Sequence, residues 1–322
     1  MKQRTQNIIL FLVTFLAVFA DLHYQAGELF AHSANGVSFF WEFRVPRVMG
    51  AVGAGVLLSV AGILMQTLFR NPLAGPYLVG VTPGASFGIA VSLFAQPWLT
   101  SLGFTLGMDS LLASVLGALL AMSIQLALNK GFENTTKLLL TGMVLSFLFG
   151  AAVDLLQNIG NMEQIKQFTL WGMGSFERVT RDQLIWILIP SLLGIALSWS
   201  LRHALDTYLL GDQYAQTSGV NIRGLRRSMI WIGAILSGWA TAFCGPVSFV
   251  GLVAPHIAKR LARSDSHGKI LLPSVLWGIF ICVTADLLAH ALIPGITLQV
   301  NAICAIIGAP ILLSSFRKRR DW

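Results

Sequence analysis

The chain carries little charge for its length. Only 11% of its 322 residues are Asp, Glu, Lys or Arg, against roughly 25% in an ordinary soluble domain. That is too little to clothe a water-facing surface, which excludes a soluble globule. Cysteine is scarce too. Cys244, Cys282 and Cys304 are odd in number, lack C-x-x-C spacing and fall inside apolar runs. They read as small buried apolar residues, with no disulfide framework or metal site. There is no G-x-x-x-x-G-K-[ST] phosphate loop, no H-E-x-x-H and no G-x-S-x-G, so the motifs for ATP hydrolysis, zinc hydrolysis and serine chemistry are missing. Acids inside apolar runs are few, Asp154 and Asp286 foremost, and no carboxylates pair in sequence. An ion-coupled carrier usually places several ionisable groups at mid-membrane.

Apolar sequence fills the space these absences leave. Hydrophobic residues make up 55% of the chain, in runs close to the ~20 residues a helix needs to cross a bilayer. Spanning strands would alternate apolar and polar over ~10 residues, a pattern not found. An all-α polytopic membrane protein follows. Ten spans are expected: 7–22, 46–69, 76–96, 109–128, 136–156, 182–201, 227–244, 247–261, 270–292 and 298–316. The eighth is short, and Pro255 and His256 are expected to interrupt it. The first begins like a signal peptide, MKQRTQNIILFLVTFLAVFADLHY, but no small-x-small cleavage site follows, so a retained helix is expected.

The net charge of +8 is distributed between spans rather than on one face, which argues for topology and against nucleic acid. With a cytoplasmic N-terminus, only Arg44, Arg47, Lys166, Arg178 and Arg181 of the 22 basic residues fall outside. The other 17, including Lys2, Arg70, Lys130, Lys259 and Arg317 to Arg320 (Lys318 and Arg319 between them), fall inside, as the positive-inside rule asks. Both termini are then cytoplasmic.

Two connections stand out. The outer stretch 157–181 holds IKQFTLWGMGSFERV, a candidate short surface helix. The inner stretch 202–226 holds DTYLLGDQYAQTSGVNIRGLRR, readable as a docking surface for a cytoplasmic partner or as a solvated connector. Gly50, Gly53 and Gly55 with Ala51, Ala54 and Ala61 let the second span approach its neighbours closely. Asp286 suits a translocation path or, preferably, a structural pairing. His256 suits a metal or, preferably, carbonyls freed at a helix break.

At residues 43–88, FRVPRVMGAVGAGVLLSVAGILMQTLFRNPLAGPYLVGVTPGASFG, and 245–261, GPVSFVGLVAPHIAKRL, the chain resembles the FecCD/BtuC-type permeases of iron-siderophore, haem and cobalamin import. LWGMGSF, LLGDQYAQTSGV, ADLLAH and IIGAPILL extend the resemblance, in order, over nearly the whole chain. It implies a type II ABC importer permease: one transmembrane domain, residues 1–322, in a bacterial cytoplasmic membrane. Two permease subunits, alike or different, would enclose the path within the lipid bilayer. Two cytoplasmic ATPase subunits would bind ATP and magnesium, and a periplasmic or lipid-anchored solute-binding protein would deliver the cargo. No cofactor is expected on this chain and no nucleic-acid partner. Ferric siderophore is the first cargo, haem and cobalamin the others.

The resemblance also implies residue roles. Leu210, Gly211, Asp212, Ala215, Ser218, Gly219, Val220 and Arg223 would form the loop that couples to the ATPase. Arg44 and Arg47 would meet acidic residues of the binding protein, or instead anchor headgroups. Gln66, Asn71, Pro72, Gly84, Pro255 and His256 would belong to the path and its gate. The chain departs from the pattern where a third docking arginine is His290, and where E-L-P-x-G is Thr297-Leu298-Gln299-Val300-Asn301. An ion-coupled carrier without an ATPase and a membrane-embedded enzyme using His256 and Asp286 are the competing classes.

Overall fold

A computed structural model of the chain describes residues 2–24, 40–95, 101, 110–129, 135–293 and 296–317. Among these, 13 α-helices and no strand occur. Helix is the fold lipid demands, because it satisfies every backbone amide and carbonyl within its own segment. In chain order these are α1 (Lys2–His23), α2 (Val45–Leu68), α3 (Val81–Ala90), α4 (Ser110–Leu128), α5 (Thr135–Asn158) and α6 (Met162–Gly172). Then follow α7 (Leu184–Ser200), α8 (Arg202–Leu209), α9 (Asp212–Thr217), α10 (Ile222–Cys244), α11 (Val250–Ala262), α12 (His267–Ala291) and α13 (Val300–Arg317). Each expected span coincides with a helix: α1 to α5, α7, and α10 to α13. Among the described residues, six helical stretches are long and apolar enough to cross a membrane. The expected ends at Gln96 and Asp109, and Lys130, Lys318, Arg319 and Arg320, lie outside the described residues.

The bundle is built around α2, nearly all of which is buried. It packs against α12, α10, α11 and α7, while α3 packs on α4 and α5. Lipid tails are as apolar as leucine, so helices associate through close packing rather than through the hydrophobic effect. The closest approach joins α2 to α11: a Cβ on Gly62 would sit 1.6 Å from the Gly251 carbonyl oxygen. Outward faces stay apolar, as at Phe147, Leu155 and Leu192.

Two expectations are corrected. Pro255 does not break the eighth span; it lies buried inside α11. The break comes earlier, where Gly245 (φ 73°) and Phe249 (φ 66°) adopt left-handed conformations. The seventh span begins at Ile222, five residues before the expected Arg227, because Asn221 caps it by accepting a bond from the Gly224 amide at 3.0 Å. A short helix does lie within 157–181: α6, opened by a capping box between Asn161 and Gln164.

Candidate functional site

One end of the bundle gathers the end of α2, the short helices α8 and α9, and the starts of α10 and α12. Helix α8 buries Leu205 and Tyr208, three residues apart on one face. Helix α9 buries only Ala215. Gly211 separates the two helices at φ 118°, and Gly219 follows α9 at φ 82°. A Cβ at either would meet nothing within 4 Å, so backbone conformation, not crowding, requires glycine there. Leu210 is 68% exposed and Tyr214 54% exposed, so the turn presents an apolar knob. Asp212 is half-buried, Ser218 and Arg223 are exposed, and Val220 returns to the core, its amide donating to the Ala215 carbonyl at 2.9 Å.

Two sets of bonds fasten this knob, one to the ends of α2 and α10 and the other to the start of α12. Arg70, just past the helix end at φ 45°, donates to the Tyr208 carbonyl at 2.7 Å and to Asp212 Oδ1 at 2.5 Å. Arg226 donates to Asp212 Oδ2 at 2.6 Å and to the Tyr208 hydroxyl at 3.0 Å. That hydroxyl donates to the Leu68 carbonyl at 3.2 Å, and the Arg70 guanidinium lies 4.2 Å from the Tyr208 ring centre. In the second set, Asp206 of α8 accepts the amide and ring Nδ1 of His267 and the hydroxyl of Ser266, at 2.7, 2.6 and 2.9 Å. Helix α8 thereby caps α12 from outside, a carboxylate at a helix N-terminus.

Burial pushes the Asp206 carboxyl up, but the bonds from His267 and Ser266 outweigh it and hold the group below its usual value. Its stabilisation is complete above the unfolded value of ~3.9 and is lost as pH falls through the lower folded value. Acid should therefore bring thermal unfolding of the detergent-solubilised wild type and of D206N together, whereas near neutrality the wild type melts higher.

Beside the knob is a cleft of about 820 Å³. It brings together Gln66, Asn71, Pro72 and His256 with Leu210, Arg70 and the basic end of α11. Gln66 also donates to the Leu252 carbonyl at 3.0 Å, tying α2 to α11. Two of the expected gate residues are elsewhere. Gly84 faces α4, where a Cβ would lie 2.4 Å from that of Ala121, so it serves helix contact. Pro255 is buried within α11. The helix is unbroken at His256, which lines the cleft.

At the opposite end lie the three residues expected to dock a binding protein. Arg44 and Arg47 are buried, at 7% and 9% exposure, not free charges. Arg47 Nη2 lies 3.3 Å from Asp21 Oδ1 and its Nε 2.8 Å from Asp286 Oδ2, so one arginine joins α1, α2 and α12. Arg44 donates to the Leu22 carbonyl at 3.4 Å. His290 is engaged as well: Nε2 lies 2.7 Å from Glu177 Oε1 and Nδ1 2.8 Å from the Asp286 carbonyl. That bond chiefly holds the Glu177 carboxyl below its usual value, against desolvation. Asp286 thus has the structural pairing preferred from sequence, and the expected lack of paired carboxylates is wrong, for Asp21 lies across Arg47 from it. Asp154 is exposed on α5. In the divergent 297–301 segment, Asn301 Oδ1 accepts the Ser248 amide at 3.0 Å and the Ser248 hydroxyl, pinning α13 to the chain break before α11.

The model of the FecCD transport family matches residues 8–318. The chain belongs to this family. It is 34% identical to the hemin transport system permease HmuU of Yersinia pestis, over 87% of this chain and 83% of that one. It is 36% identical to the Fe(3+) dicitrate transport system permease FecD of Escherichia coli, over 84% and 82%. Among solved structures, a metal-chelate type ABC transporter in an inward-facing conformation superposes with a TM-score of 0.84 at 26% identity, covering 98% of this chain and 99% of that one. This FecCD protein therefore has the ABC importer permease fold and is a multi-pass membrane transport permease.

Asp21, Asp206, Thr67, Tyr208 and His267 escaped the sequence reading. Their partners lie tens to hundreds of residues away, and a lone aspartate ending an apolar run, as Asp21 does, was the one available signal.

Proposed function

We propose that this chain is the membrane-spanning subunit of an importer that carries an iron chelate, foremost a ferric siderophore, into a bacterial cell. Haem and cobalamin are the other cargoes. A relative named for hemin and another for Fe(3+) dicitrate support the class, as does a vitamin B12 permease from Vibrio cholerae, 32% identical over 99% of this chain. Two permease subunits enclose the path, and an outer binding protein delivers the cargo. Both termini face the cytoplasm. ATP and magnesium are bound by two cytoplasmic partner subunits, none by this chain.

The observation that carries the reading is the exposed knob of Leu210 and Tyr214, bolted to the end of α2 that borders the cleft. A rigid protrusion of this kind can pass a partner's closure to the bundle as rigid-body motion. Arg178 and Arg181 take over as candidate outer docking charges, with Arg44 and Arg47 internally paired.

Gly211→Val tests the knob. Its φ of 118° disfavours any side chain at a cost of about 1–3 kcal/mol, while open space around it spares the core. The permease should remain folded but lose most ATPase stimulation; undiminished coupling would refute the assignment. Affinity purification of the tagged protein in mild detergent tests the whole. An ATPase subunit should copurify, whereas a clean protein that moves solute in liposomes alone would favour a carrier.

A further inference from the structure

The contact between α8 and α12 does not end at the cap. His267 is 1% exposed, and its ring bridges two elements. Nδ1 faces Asp206 Oδ1 at 2.6 Å, and Nε2 faces the Thr67 hydroxyl at 2.8 Å. The carboxylate fixes the ring hydrogen on Nδ1, leaving Nε2 of the neutral ring to accept from Thr67. Thr67 lies one residue before the end of α2, four before Asn71 at the cleft. Three side chains thus connect the coupling helix, the start of α12 and the segment leading into the cleft.

A plain helix cap needs none of this. Asp206 already accepts the His267 amide and the Ser266 hydroxyl, which caps α12 without any ring. The ring adds the reach to Thr67. The neighbouring Arg70–Asp212 clamp differs in kind: its side chains are 36% and 39% exposed, where water screens the pair and competes for it. The His267 connection is dry at its centre, so it holds geometry while the wet clamp can open and re-form.

We propose that His267 is a positioning residue for transport, relaying displacement of the coupling helices through Asp206 and Thr67 to the end of α2 and the cleft. The proposal rests on the coupling role assigned to α8 and α9 above. It makes the relay the element that converts ATPase closure into movement at the gate, as distinct from one that merely holds the fold.

The test uses the full complex with its ATPase and binding protein, reconstituted in liposomes, measuring cargo taken up per ATP hydrolysed. His267→Asn keeps a donor near the Nδ1 position and loses the reach to Thr67; Thr67→Val removes the hydroxyl while preserving shape. Both should retain the copurifying ATPase and its stimulated hydrolysis within about twofold, while uptake per ATP falls about tenfold. The double variant should be no worse than either single one, as members of one chain behave. Uptake and hydrolysis falling in proportion, an unchanged ratio, or independent losses that multiply in the double variant would each overturn the relay. A wild-type protein that recruits no ATPase would instead overturn the coupling assignment.

Discussion

Gly62→Ala should prevent stable assembly of the bundle, although alanine is the better helix former. The new Cβ would lie 1.6 Å from the Gly251 carbonyl oxygen and 2.5 Å from its carbon. Both are backbone atoms, so no rotamer change relieves the overlap, and α2 must separate from α11 or bend. Overpacking typically costs about 1–3 kcal/mol, and a backbone collision at the centre of the fold belongs at or above the top of that range. Gly150→Ala on α5 is the matched control, since nothing lies within 4 Å of its Cβ; it should be neutral or stabilising by up to about 1 kcal/mol. Thermal unfolding in detergent reads both. Equal melting of the two variants would mean that α2 and α11 do not meet as described.

Arg47→Met should be nearly as damaging, for an electrostatic reason. The arginine stands between Asp21 and Asp286, both fully buried. Removing it leaves two buried carboxylates facing each other without the guanidinium between them, and breaking such a buried pair costs about 3–5 kcal/mol. The loss belongs to the stranded acids more than to the missing bond. Adding Asp21→Asn and Asp286→Asn to Arg47→Met should therefore restore much of the melting temperature, because the triple variant buries no net charge. A triple variant less stable than the single one would show that the ion pairs themselves hold α1, α2 and α12 together. An Arg47 that served only as an outer docking charge would leave melting unchanged on substitution.

These sites show what one sequence discloses. Apolar run length is a local property, so the ten spans could be drawn, with errors where local signals mislead. Pro255 looked like a break, but α11 runs through it because proline is tolerated where neighbouring groups re-satisfy the backbone. The stretch 202–226 stood out as structured because it is too polar to span and too patterned for a tether, and Gly211 and Gly219 do take positive φ there. What holds that segment was not legible, since Asp206 meets His267 across 61 positions and Arg70 meets Asp212 across 142. The internal pairing of Arg47 was hidden for the same reason: nothing near it in sequence announces Asp21 or Asp286. Small residues were visible in the second span, but which of them faces a backbone depends on packing, which sets Gly55 against Gly278 and Gly62 against Gly251 and assigns Gly84 to α4.

The central claim, that this permease moves its cargo only when a separate ATPase drives it, is tested most directly by uptake into liposomes. The complete complex would be assembled with ATP at the ATPase face and a ferric siderophore on its binding protein at the other. The account predicts uptake that requires ATP and stops when the ATPase loses its catalytic glutamate. Uptake that continues with the inactive ATPase, or that follows an ion gradient without ATP, would contradict it.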